Sequence, residues 1–60
     1  MNAVIANLVD VARRRGIAVS VRADGELVVV APQREWALTD LLYRHEPAVV
    51  AEVLRQGLET

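Results

Sequence analysis

Sixty residues with seven basic and eight acidic side chains, a net charge of −1 and a pI near 5.7 give no overall electrostatic reason to bind nucleic acid or an anionic membrane. The absence of cysteine excludes disulfide staples and thiolate-bound zinc, the usual supports of so small a domain, and fits a reducing cytoplasm. A chain this short buries only about 60% of the surface it exposes unfolded, so its 53% hydrophobic residues must pack densely or associate.

No apolar run approaches the roughly 20 residues of a membrane span. Residues 1–12 are moderately apolar, but Asn7 and Asp10 interrupt them and no basic segment precedes them as in a signal peptide. A soluble, cytoplasmic domain is expected, with Met1 as its initiator.

Residues 3–15 read as a helix. Val4, Ile5, Leu8, Val9 and Ala12 recur at three- and four-residue spacing and form one apolar face. Asn2 is the candidate N-cap, Arg13, Arg14 and Arg15 fill the last turn where the helix dipole favours cations, and Gly16 is the stop.

Residues 17–22 and 26–31 are rich in Val and Ile, and Ala23-Asp24-Gly25 separates them, which predicts a β-hairpin. Two registers compete. A two-residue turn at Asp24-Gly25 puts Leu27 and Val29 on the face of Ser20 and Arg22. A three-residue loop with Gly25 left-handed instead sets Arg22 opposite Glu26 and gathers Ile17, Val19, Val21, Leu27, Val29 and Ala31 on one face. The second is preferred because it collects the apolar residues with least conflict. In either register two residues of the run Leu27–Val30 point away from the core; in the preferred one they are Val28 and Val30, beside Ala18 and Ser20.

Pro32 ends the second strand, because it has no N–H for a ladder. Leu38, Leu41, Leu42 and His45 then fall at helical spacing, with Glu35 in the first turn; Thr39 is an alternative N-cap for a shorter second helix. Pro47 opens a third helix to about Gln56, with Val49, Val50, Val53 and Leu54 inward and Gly57 closing it. The expected class is α+β, a small αββαα domain.

Residues that carry chemistry are few. His45 is the sole histidine and Ser20 the sole serine, the latter mid-strand without a glycine-rich elbow, so a catalytic triad is not expected. Glu46 beside His45 does not make a metal set, and the isolated glycines form no phosphate loop. No enzyme activity and no cofactor are expected. Arg13–Arg15 reads either as a phosphate-contacting patch or as a solvated helix end, and the second is preferred. Trp36 either caps the core or lines a pocket beside the second strand; the first is the commoner fate. The hairpin remains. A two-stranded sheet has two open edges, and the second strand carries no charge between Glu26 and Arg34 to blunt its own. Such an edge is a template for an added strand.

The ordered set of a helix ending Arg15-Gly16-Ile17, a hairpin about Asp24-Gly25, a strand end Ala31-Pro32, Leu38 and Leu42, His45-Glu46-Pro47 and Val53-Leu54-Arg55 resembles the TubC-type N-terminal docking domains of nonribosomal peptide and hybrid polyketide–peptide synthetases. The resemblance spans nearly the whole chain. It implies that residues 1–60 are one docking domain at the start of a larger multidomain subunit. Its partner would be a short linear motif at the C-terminus of an upstream synthetase subunit, added as a strand to the hairpin. Carried over by position, the contact residues are Ser20 and Leu27, Val28, Val29, Val30 and Ala31, with Arg22, Glu26 and Arg34 as selectivity charges. Family members often carry charge where Val28 and Val30 stand here, so apolar contact is expected to weigh more in this chain. Some members are homodimers, which makes self-pairing through the same strand the main alternative; a small nucleic-acid-binding protein using Arg13–Arg15 and Arg22 is a weaker one.

Overall fold

The computed structural model describes residues 3–58. It runs α1 (Ala3–Arg14), β1 (Ala18–Val21), β2 (Leu27–Val30), a 3-10 turn (Gln33–Glu35), α2 (Trp36–Arg44) and α3 (Glu46–Leu58). This is the αββαα arrangement of a small α+β domain. The expected N-cap Asn2 lies outside the described residues.

Helix α1 buries Ile5, Val9 and Ala12, a stripe with spacings of four and three. Val4 was expected on that face, but it lies one residue round from the stripe and is 74% exposed. The helix ends in a Schellman motif: Gly16 N–H reaches Arg13 O at 3.1 Å, and Ile17 N–H reaches Ala12 O at 3.0 Å. Gly16 has φ +84°, which an L side chain adopts only at a cost.

The hairpin takes the register with the three-residue loop. Val21 faces Leu27 and Val19 faces Val29, and Arg22 N–H donates to Glu26 O at 2.8 Å. Gly25 is left-handed at φ +88°, its N–H reaches Arg22 O at 2.9 Å, and Asp24 Oδ1 accepts from Glu26 N–H at 3.0 Å. One face then carries Ile17, Val19 and Leu27 into the core, with Val21, Val29 and Ala31 packed beside them. The other carries Ala18, Ser20, Arg22, Glu26, Val28 and Val30.

The inner face packs on α1 and α3, and the core closes over Leu42 of α2 and Val49 of α3, both fully buried. Helix α2 begins at Trp36, one 3-10 turn after Pro32, so Thr39 is not an N-cap. It sits inside the helix with Oγ1 donating back to Glu35 O at 3.1 Å. His45 links α2 to α3: its N–H reaches Leu41 O and its carbonyl accepts from Val49 N–H at 2.9 Å. Pro47 then lies in the first turn of α3, where a missing N–H leaves no helical bond unmade.

Two expectations for α3 are corrected. The helix runs on through Gly57 to Leu58, and Gly57 lacks the positive φ of a stop. Leu54 is half exposed, because it lies five residues and about 140° round the helix from the fully buried Val49, whereas Glu52, three residues after Val49, is buried. Glu52 keeps its carboxylate satisfied by accepting from Arg55 Nε at 3.2 Å and from Gln56 Nε2 at 2.9 Å.

Candidate functional site

The ladder geometry decides which backbone groups of the hairpin are available. Arg22 and Glu26 form a hydrogen-bonded pair, so by the antiparallel alternation Ser20–Val28 and Ala18–Val30 do as well. Val19, Val21, Leu27 and Val29 belong to the other class and turn their N–H and C=O groups away from the partner strand. Among the described residues, nothing accepts from or donates to those groups on Leu27 and Val29. The outer edge of β2 is open.

Helix α2 flanks that edge. Trp36, Asp40 and Tyr43 share one helical face, at spacings of four and three, and with Val29, Ala31, Pro32, Gln33 and Thr39 they line a cleft of about 430 Å³. Trp36 therefore does not cap the core; it is 71% exposed and stands at the cleft, and Tyr43 is 44% exposed beside it. The side chains fully buried from the two C-terminal helices are instead Leu42 and Val49. Asp40 is held by Arg44 Nε at 2.9 Å.

The residues expected to contact a partner do not all meet. Val28 and Val30 point to the outer face as expected, Val28 half-buried and Val30 65% exposed opposite the small Ala18. Ser20 is exposed on that same face. Arg22 and Glu26 pair with each other at 3.6 Å at the turn end of the strip. Arg34 stands apart. In a 3-10 turn residues i and i+3 eclipse, so Gln33 and Trp36 face the β2 cleft together while Arg34 points about a third of a turn away. It lines a separate shallow cleft with Arg14, Arg15 and Glu35.

That second cleft holds a group the sequence does not flag. Glu35 is buried, and Arg15 reaches it from the end of α1, with Nη2 donating to Oε1 at 2.9 Å and Nε bonded to Oε2. The hydrogen bond from Arg15 holds this carboxyl below the ordinary glutamate range; burial opposes the shift, and the charges of Arg15 and Arg34 add to it. Glu52 is likewise held low, first by its hydrogen bonds from Arg55 and Gln56.

The arginine run is thus not a free patch. Arg13 reaches Gln56 and Val19 O, Arg14 pairs with Asp10 at 3.1 Å, and Arg15 holds Glu35. His45 is exposed at the helix junction, and among the described residues no three His, Cys, Asp or Glu side chains converge as a metal set. No helix among them is long and apolar enough to cross a membrane. Comparison with known proteins adds no relative: no family model matches the chain, and neither the curated proteins nor the solved structures give a match.

Proposed function

We propose that this chain is a non-catalytic docking module of the TubC type, which receives an extended peptide as a third strand along the outer edge of β2. The observation that supports this is the open edge itself: outward N–H and C=O groups at Leu27 and Val29, beside a cleft walled by Trp36 and Tyr43. Backbone bonds to the edge would supply affinity, and alternate side chains of the added strand would supply selectivity. One set of those side chains faces Trp36, Asp40 and Tyr43. The other lies beside Val28 and Val30, an uncharged strip that favours apolar or β-branched residues. Arg22 and Glu26 mark the turn end of the strip, and Arg34 is too far round the 3-10 turn to belong to it.

The partner would be the C-terminal segment of an upstream synthetase subunit in the cytoplasm, and the module would order subunits in an assembly line. The test is an NMR titration with the C-terminal peptide of the subunit encoded immediately upstream. Backbone amides of residues 26–31 and the indole N–H of Trp36 are expected to shift, with Kd in the micromolar range, about −8 kcal/mol at 1 μM. A correctly paired peptide that leaves those signals unmoved overturns the proposal. The exposed Val30 keeps self-pairing through β2 as a second reading, which sedimentation at high concentration separates from peptide docking. Nucleic acid is not proposed as a partner, because each arginine of the Arg13–Arg15 run is engaged within the chain.

A further inference from the structure

We propose that Arg13 is an edge guard, closing the free side of β1 against strand pairing. This stands on the geometry of β1 and does not rest on the docking reading. A two-stranded sheet offers two templates, and each must be used or blunted. On β1 the outward groups belong to Val19 and Val21, and Ile17 N–H is already engaged by Ala12 O at 3.0 Å in the cap of α1. Val19 O accepts from Arg13 Nη2 at 3.3 Å. The guanidinium therefore occupies the place where the N–H of a neighbouring strand would arrive.

Arg13 is also held from its far side. Its Nη1 is bonded to Gln56 Oε1, and Gln56 Nε2 donates to the buried Glu52 at 2.9 Å, which Arg55 also pairs. One side chain thus ties α1 across β1 to α3. The cleft it crosses, about 650 Å³, is walled by Val19, Val21, Val53 and Leu54 and would otherwise suit an apolar strand. An incoming strand must displace a charge-assisted hydrogen bond before it gains one of its own. Among the described residues, no side chain lies across the β2 edge in this way. A bland alternative is that Arg13 only complements the dipole at the end of α1. That role predicts a weaker helix when Arg13 is removed and no change in association.

The test compares the 60-residue chain with R13A and Q56A by sedimentation and by amide NMR across a concentration series. R13A is expected to self-associate about tenfold more tightly than the parent chain, with concentration-dependent shifts and slowed exchange at Val19 and Val21. Q56A, which leaves Arg13 in place but removes its tether together with the bond from Gln56 to Glu52, is expected to move the same amides less. Unchanged association in folded R13A overturns the proposal, and so does new association that maps to Leu27 and Val29 instead. If R13A fails to fold, Q56A decides: unchanged Val19 and Val21 amides in that variant overturn it equally.

Discussion

Arg15 and Glu35 form a two-point ion pair that joins the end of α1 to the turn before α2, with the carboxylate buried and the guanidinium more than half exposed. The pair anchors the 3-10 turn, and through the i, i+3 geometry of that turn it sets where Trp36 stands relative to β2. A contact in the Arg15–Glu35 cleft thus positions a wall of the cleft beside β2.

Glu35 and Glu52 should make the fold acid-sensitive. Both carboxyls are held below the ordinary glutamate value, so their stabilising contribution is complete above the unfolded pKa of about 4.3 and is lost as pH falls through the lower folded values. Thermal melts are expected to be flat from neutral pH to about 5 and to drop steeply below 4. Glu35→Gln should lower the neutral-pH midpoint and flatten the acid limb. An E35Q variant with the parent's acid limb would show that the pair carries no such linkage.

Leu42→Ala should be the most damaging single truncation. Leu42 is fully exchanged from water into the junction of α2 with α1 and α3, and leucine-to-alanine changes at such sites cost about 2–5 kcal/mol. A 60-residue domain has about 3–5 kcal/mol in hand, so circular dichroism at 25 °C is expected to show a largely unfolded chain. A cooperative melt near the parent's midpoint would contradict this account of the core.

Much of the fold was legible because local and global signals agreed. The hairpin register followed from three facts of sequence: Gly25 suits the left-handed position, Arg22 and Glu26 complement each other, and six apolar residues fall on one face. What stayed hidden depended on distant partners. A buried Glu35 makes sense only beside Arg15, twenty residues earlier. Glu52 is buried with its carboxylate satisfied by Arg55 and Gln56, and hydrophobic periodicity cannot register a buried polar position of that kind. The β2 edge was legible from the uncharged run Leu27–Ala31. Its cleft was not, because the 3-10 turn that aims Trp36 and turns Arg34 away has no clear signature.

The glycines should respond in opposite directions. Gly25→Ala places a Cβ at φ +88° and is expected to cost about 1–2 kcal/mol. Gly57 is helical and nothing lies within 4 Å of a Cβ built there, so Gly57→Ala should stabilise by up to about 0.5 kcal/mol. Chemical denaturation of both variants reads the two signs. A destabilised G57A would mean that α3 stops where the sequence pattern first suggested.

Val30→Glu should leave the fold intact, within about 0.5 kcal/mol, since the side chain is mostly in water. Val28→Lys should cost more, because Val28 is half-buried against its neighbours on the outer face. Both are expected to impair docking on β2 by breaking the uncharged strip. Unfolding of V30E would show that its side chain faces the core.

Trp36→Ala separates the cleft from the edge. Trp36 is mostly exposed and makes no contribution to the buried core, so its loss is expected to leave the melt within about 0.5 kcal/mol of the parent. The strand edge at Leu27 and Val29 remains, and a peptide that docks by backbone alone would bind W36A as before. If its alternate side chains enter the space between Trp36 and Tyr43, affinity should fall about tenfold, or 1.4 kcal/mol. Trp36 is the sole tryptophan, so its fluorescence in the parent chain gives an independent reading of the same contact. Tyr43→Ala should then reproduce the loss, because both rings wall one cleft. Unchanged fluorescence with unchanged W36A affinity would place the partner's side chains on the Val28–Val30 face alone.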